Sequence, residues 1–403
     1  MRYKIRALDI KNRAEGMSEF EKIGSTVPGQ KIMVDKLFPL AVKVKGLKVL
    51  AINILKQEML ARGGDVVTSR DTLLETKGTT DVIIEGHQKS FKSLIPKLKV
   101  QPFGLKDLAD ELEIFLKDNK NNRNKKSFRI GKKKFDLISN TLVMGIINVT
   151  PDSFFDGGKY NHKDQAVKRI SEMIADGADV IDIGGLSSRP GSKPVSLEEE
   201  LERTITVIES VSNNFDTLIS IDTYRSEIAL EAILAGAHMV NDISSFNMDK
   251  NMAGMAADKG VSVTLMHMQG KPEDMQKNPQ YENVVDEIYE YLDGKASTAI
   301  DAGVSPDKIM LDPGIGFGKT LDHNLSILNK ISEFRSMGYP IMMGASRKAF
   351  IGTILDLPAE DRLEGSLAAA VWSVVNGVNI LRVHDVVETV RAVKIARSIM
   401  SGF

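Results

Sequence analysis

Residues 218–243 read LISIDTYRSEIALEAILAGAHMVNDI. A β-type run at 218–222 ends on Asp222, an amphipathic stretch of helical length follows and stops at Gly236-Ala237, and a second β-type run at 239–243 carries Asn241 and Asp242. The same unit repeats. Eight β-like runs fall at 142–149, 179–184, 218–222, 239–243, 262–267, 309–312, 340–345 and 379–384, separated by helix-length stretches such as HKDQAVKRISEMIADGA and SLEEELERTITVIESV. Eight βα units in about 260 residues predict a (β/α)8 TIM barrel. Repeated units alone do not show that the sheet closes, so a doubly wound open sheet is the alternative.

Ahead of the barrel, KVLAINILKQEMLAR at 48–62 places Val49, Ile52, Leu55, Met59 and Leu60 on one helical face, with Gly63-Gly64 as a stop. Short β-type runs at 65–68 and 81–84 and a helical pattern at 105–116 make residues 1–125 a small α/β domain with no chemical motif. Residues 117–134 are crowded with cations and asparagines. We read 126–140 as a basic linker or solvated hairpin rather than a nucleic-acid patch, because aromatics are few. The barrel then occupies 141–403. Of the 403 residues 42% are hydrophobic and 27% charged, and the formal net charge of −1 provides no global field toward nucleic acid or an anionic membrane. The absence of cysteine removes disulfides, thiolate nucleophiles and cysteine-ligated metals. The charged start MRYKIRALDIKNR is no secretory signal and no apolar run reaches about 18 residues, which places the protein in the cytoplasm.

In a barrel of this kind the loops after the strands converge on one mouth, so the strand ends are read together. They carry Asn148, Asp182, Asp222, Asn241 and Asp242, His267, Asp312, then Ser346-Arg347-Lys348, and Arg382, His384 and Asp385. Capping of the following helices explains some of these. It does not explain cations just past the apolar runs YPIMMGAS and NILRV, which need anionic partners. Two long glycine-containing loops, TPDSFFDGGKY and GGLSSRPGSKP, bring Asp152, Asp156 and Arg189 within reach of a bound ligand. DPGIGFGKT at 312–320 looks like a phosphate-binding P-loop, but Pro313 stands where that motif needs glycine. Its glycines instead suit close approach to a flat ligand beside Asp312, with Phe317 as an apolar wall. Arg382 and His384, two residues apart on one strand face, suit an oxyanion or diphosphate.

Taken in order, MGIINVTPDSFFDGG, DVIDIGGLSSRPGS, ISIDTYRSEIA, MVNDIS, LMHMQGKPEDMQ, DPGIGFGKTLDHNL, GASRKAFIG and NILRVHDV resemble the dihydropteroate synthases over residues 142–400. The resemblance implies condensation of 6-hydroxymethyl-7,8-dihydropterin diphosphate with p-aminobenzoate, giving 7,8-dihydropteroate and diphosphate. It implies that Asp222, Asn241, Asp312 and Lys348 read the pterin edges, that Asn148, Arg382 and His384 hold the diphosphate, and that Mg2+ bridges it to Asn148 and to one or both loop aspartates. It further implies that Asp156 and Arg189 close the site and that Phe154, Ser188 and Pro190 line the p-aminobenzoate pocket. The reaction it implies is dissociative, with diphosphate leaving before the arylamine attacks. Leu186 and Ser188 replace the family's usual glutamate and threonine, and Ala349 replaces a serine that contacts the arylamine carboxylate. A pterin-dependent methyltransferase or a non-catalytic pterin-binding paralogue are the rivals. The exposed faces of 364–377 and 386–399 are apolar enough for a homodimer.

Overall fold

The computed structural model describes residues 4–73, 77–121, 127–136, 140–149, 159–186 and 195–401. The chain divides into two compact units, Met1–Lys120 and Asn121–Phe403. In the first, helices α1 (Arg13–Lys22) and α2 (Val27–Met33) lead into strand β1 (Pro39–Lys48), followed by α3 (Val49–Leu60), β2 (Asp65–Val67), β3 (Thr79–His87), α4 (Gln88–Leu98) and α5 (Leu105–Asn121). The strands pair antiparallel in the order β1-β3-β2. Ile52, Leu55 and Met59 of α3 bury against Val82 and Ile84 of β3 and Phe91 and Leu94 of α4, so the helical face expected from spacing is the core face except for Leu60, which is exposed one position past Met59.

The second unit opens with an antiparallel hairpin, β4 (Ser127–Ile130) and β5 (Lys133–Asp136). Eight parallel strands follow: β6 (Leu142–Asn148), β7 (Val180–Gly184), β8 (Leu218–Asp222), β9 (Met239–Asp242), β10 (Ser262–Met266), β11 (Ile309–Asp312), β12 (Met342–Met343) and β13 (Ile380–Val383). Their hydrogen-bonded order is β11-β10-β9-β8-β7-β6-β13-β12. A parallel bridge between Leu311 and Ile341 joins the two ends, which closes the sheet into a barrel and disposes of the open-sheet alternative. Helices α6 (Lys159–Ala175), α7 (Leu197–Asn214), α8 (Ser226–Leu234), α9 (Met252–Lys259), α10 (Val284–Asp301), α11 (Leu321–Asn329), α12 (Ala349–Leu355), α13 (Leu363–Val375) and α14 (Val386–Ser401) connect the strands.

The period of two along each strand sorts the barrel into two cores. Outward residues such as Ile181, Ile183, Ile219, Ile221, Val263 and Leu265 pack under the helices. Inward residues Met144, Val180, Leu218, Met239, Met310, Met342 and Ile380 form an apolar floor. Within the described part of the basic segment the expected hairpin is present, but it is not wholly solvated: Phe128 and Ile130 of β4 are fully buried in that floor, and Ser262 Oγ donates to the Arg129 carbonyl. Only the alternation Phe128-Arg129-Ile130 before Gly131 marks this in the sequence.

Candidate active site

Beyond the floor, six of the eight strands present a polar inward side chain next, while β6 keeps Ile146 and Gly344 follows β12. Asp182, Ser220, Asn241, Thr264, Asp312 and Arg382 stand there, and all but Arg382 are buried. Arg382 Nε donates to Asp182 Oδ2 at 2.6 Å and its Nη2 to Asp222 Oδ2 at 2.5 Å, while Asn241 Nδ2 donates to Asp182 Oδ2 at 3.1 Å. One cation thus serves two carboxylates. Burial alone would lower the Arg382 pKa, but Asp182 and Asp222 outweigh it and hold the guanidinium firmly protonated. Burial pushes the Asp222 carboxyl up to about 7 against the pull of Arg382, with Asp182, Glu200 and Asp242 pushing the same way as burial. Asp312 is also raised by burial, opposed by the Gly314 N–H bond to its Oδ1 at 2.7 Å and by Lys348, Arg382 and Lys319. Among the described residues, Asp182 Oδ1, Ser220 Oγ, Asn241 Oδ1 and Thr264 Oγ1 are buried without a hydrogen-bond partner. Such groups are costly unless something supplies donors.

Above this layer the rim is set by glycine. Gly184 sits where a Cβ would stand 3.4 Å from Asn148 Oδ1 and 3.7 Å from Asp222 Oδ2, so the bare backbone leaves those oxygens facing a common space. In the loop after β11, Gly314, Gly316 and Gly318 all have positive φ, and a side chain at 314 or 318 would collide with the carbonyl oxygens of His267 or Gln269. The loop therefore lies flat on the loop after β10. Phe317 is buried with Ile243, Met266 and Met275, and the Lys348 ammonium lies 4.1 Å from its ring centroid. An apolar wall thus faces a polar edge of carboxylates, amide and ammonium, which suits a flat heterocycle with hydrogen-bonding sides.

The wider comparison agrees with this geometry. The pterin binding enzyme family model matches residues 144–384. The dihydropteroate synthase of Clostridium beijerinckii is 46% identical over 267 residues, 66% of this chain and 97% of that enzyme. The chain belongs to the pterin binding enzyme family, among the dihydropteroate synthases. The Yersinia pestis dihydropteroate synthase, solved with a sulfonamide drug complex, superposes with a TM-score of 0.65 at 42% identity, covering 68% of this chain and 99% of that one. The Xanthomonas albilineans dihydropteroate synthase, solved with 4-aminobenzoic acid, gives 0.64 at 37% identity, with 68% and 99% covered.

Within this dihydropteroate synthase barrel the strand-end residues Asn148, Asp222, Asn241, Asp312, Lys348, Arg382 and His384 all lie at the same end of the strands, with Phe317 beside them. Asp152, Phe154, Asp156, Ser188, Arg189 and Pro190 lie outside the described residues. His384 is pushed down to about 4 by burial and by Arg382 and Arg347, so the imidazole is neutral at pH 7. Ser346 Oγ accepts the His384 main-chain N–H at 3.3 Å and lies 3.1 Å from Nδ1; a hydroxyl donating there leaves the ring proton on Nε2. Arg347, which sequence alone offers as an anion-holding cation, faces away from that task. It adopts φ 55°, and its fork grips Asp385 with Nε–Oδ2 3.0 Å and Nη2–Oδ1 2.5 Å. Its main chain is held as well, by Ser366 Oγ at 2.9 Å and Arg362 Nη1 at 3.1 Å. Left-handed backbone at a residue with a Cβ costs about 1–2 kcal/mol, so the network serves to aim Ser346 and Lys348.

Glu200 is a site-supporting residue that the sequence does not single out. Buried in the first turn of α7, it accepts from Thr223 Oγ1 at 2.7 Å and from Arg225 Nη1 at 2.8 Å, which moors the segment after Asp222. Its one signal is an acidic cluster, EEE at 198–200, indistinguishable from ordinary helix-start charge. Asp242, by contrast, spends its oxygens on Ser244 and Phe246 N–H groups at 2.7 Å and shapes a turn. Among the described residues no cluster of three His, Asp or Glu could hold a metal unaided. Asn148 Oδ1, left facing open space at Gly184, fits a Mg2+ that draws most of its ligands from substrate and water. No helix of the described residues is long and apolar enough to cross a membrane.

Proposed function

We propose that this chain makes 7,8-dihydropteroate in the cytoplasm from 6-hydroxymethyl-7,8-dihydropterin diphosphate and p-aminobenzoate. The pterin C–O bond breaks with loss of diphosphate, and the arylamine nitrogen forms the new C–N bond and releases a proton. The observation that carries this reading is the polar layer on the apolar floor, where Asp182 Oδ1 and Asn241 Oδ1 are buried without donors and the buried carboxylates of Asp222 and Asp312 stand at the same strand ends. A 2-amino-4-oxopteridine offers adjacent N–H groups to such acceptors, and Asp222, Asn241 and Asp312 receive them. Lys348 donates to the ring oxygen and nitrogen on the other edge, and Phe317 packs on the ring face.

Asn148, Arg382 and neutral His384 hold the departing diphosphate, His384 by donation from Nε2. Mg2+ held through Asn148 and the loop aspartates would supply charge to that leaving group. The family motifs give Asp156 and Arg189 the seating of diphosphate and arylamine, and Phe154, Ser188 and Pro190 the lining of the arylamine pocket. Ala349, exposed at the start of α12, leaves the arylamine carboxylate to main-chain N–H groups there. Exposed Trp372 and Val375 of α13 and Ile395 and Ile399 of α14 suit a homodimer through this face. Purified protein given the pterin diphosphate and Mg2+ releases diphosphate only when p-aminobenzoate is present, and Lys348→Ala lowers that rate by about 100-fold or more. Release independent of arylamine, or full activity in the variant, rejects the proposal.

A further inference from the structure

Lys319 closes the loop that mimics a P-loop, and its ammonium faces no phosphate site. It is 3% exposed, and Nζ lies 2.9 Å from the Phe317 carbonyl oxygen, 3.3 Å from the His267 carbonyl oxygen and 3.0 Å from His267 Nδ1. Those acceptors come from the two loops that follow β10 and β11, so one side chain stitches the loops together. The surroundings reinforce the stitch: His267 N–H donates to the Asp312 carbonyl at 3.0 Å, Tyr281 Oη to the Gly318 carbonyl at 2.9 Å, and Asn324 Oδ1 accepts Gly316 N–H at 2.8 Å.

A buried lysine held by carbonyl and imidazole acceptors is a poor choice for stability alone, protonated or not, since an apolar side chain of similar volume avoids its desolvation. We propose that Lys319 is a positioning residue for pterin recognition, holding Phe317 and the Gly316 backbone where they support the ligand-facing poise of Lys348. Lys348 Cδ is the nearest atom to the Gly316 α-carbon's open side, and the Lys348 ammonium stands over the Phe317 ring, so a shift of the loop moves both. The charges around the stitch are consistent with it. Burial holds the His267 imidazole down to about 2, helped by Lys319, which keeps Nδ1 a competent acceptor. Burial brings Lys319 itself down to about 7, with Asp312 pulling up and Lys348 pushing down.

This inference rests on the pterin reading above, and the test separates the two. Binding of 6-hydroxymethylpterin, which has the ring edges and no diphosphate, is measured by isothermal titration on the full chain. Wild type binds; failure to bind overturns the pterin reading itself. Lys319→Met binds about tenfold more weakly, the loss expected for charged hydrogen bonds that order a site. In the same variant the KM for p-aminobenzoate at saturating pterin diphosphate stays within about threefold, which a general loosening of the barrel would not allow. Unchanged pterin affinity, or parallel loss of pterin and arylamine binding, overturns the inference. Should Lys319→Met fail to fold, His267→Leu removes one acceptor and leaves the two carbonyls. About threefold weaker pterin binding in that variant supports the role, and wild-type affinity overturns it.

Discussion

Asp222→Asn separates what the mouth costs from what it does. In the wild type, burial raises the Asp222 carboxyl from 3.8 to about 7, so the native state holds that proton more tightly than the unfolded chain. The stability this contributes is fully present below about pH 4 and is lost as the pH climbs through 7. Between pH 5 and 7 the loss is two units at about 1.4 kcal/mol each, or about 2–3 kcal/mol by pH 8. Asparagine does not titrate, and its Oδ1 can still accept from Arg382 Nη2 while the Arg382–Asp182 pair at 2.6 Å is untouched. The variant is therefore expected to gain about 2 kcal/mol on the wild type from pH 5 to pH 8, while its KM for the pterin diphosphate rises by about 100-fold for want of a carboxylate. The assay is urea unfolding at both pH values followed by fluorescence of Trp372, the one tryptophan, which sits on α13 and reports the barrel rather than the N-terminal unit. A stability difference that is the same at pH 5 and pH 8 refutes the reasoning.

Arg347→Ala breaks the fork to Asp385 and releases a strained backbone, so kcat/KM falls by about tenfold or more, and Arg347→Lys recovers little because an ammonium cannot grip both oxygens; steady-state kinetics at wild-type level in either variant would remove the positioning role. Phe128→Ala empties part of the barrel floor and lowers stability by about 3–5 kcal/mol in the same fluorescence assay, and a loss under about 1 kcal/mol would mean the hairpin is dispensable. Ile399→Glu charges the exposed face of α14 and shifts a dimer toward monomer in sedimentation equilibrium, whereas an unchanged mass distribution would exclude that face as the interface.

Most of the barrel is legible in the sequence because buried parallel strands and amphipathic helices alternate without interruption, and seven of the eight strands fall within one residue of their expected bounds at either end. The exception is instructive. The run at 340–345 shrinks to Met342–Met343 because Pro340 has no N–H to give and the Asn379 side chain takes the Ile341 N–H at 2.9 Å, replacing ladder bonds by a side-chain bond. In the first unit α4 is missing from the expected elements although Phe91, Leu94, Ile95 and Leu98 recur at helical spacing and form its buried face; Pro96 inside it is what argues against a helix there. Residues that end strands are readable as site residues, because a charged group directly after a buried apolar run must meet either solvent or a ligand. Glu200 and Lys319 are not, and Arg347 is legible as a site residue but not in its actual role, since all three depend on partners 19 to 52 positions away, such as Arg225, His267, Ser366 and Asp385, that no local pattern announces.

The most direct measurement is a crystal structure of the full chain with the pterin diphosphate bound. Density for the ring is expected between Phe317 and the edge formed by Asp222, Asn241, Asp312 and Lys348, with its diphosphate at Asn148, Arg382 and His384. A ring seated elsewhere, or reversed so that the anion meets Asp222 and Asp312, would contradict the assignment of the barrel mouth.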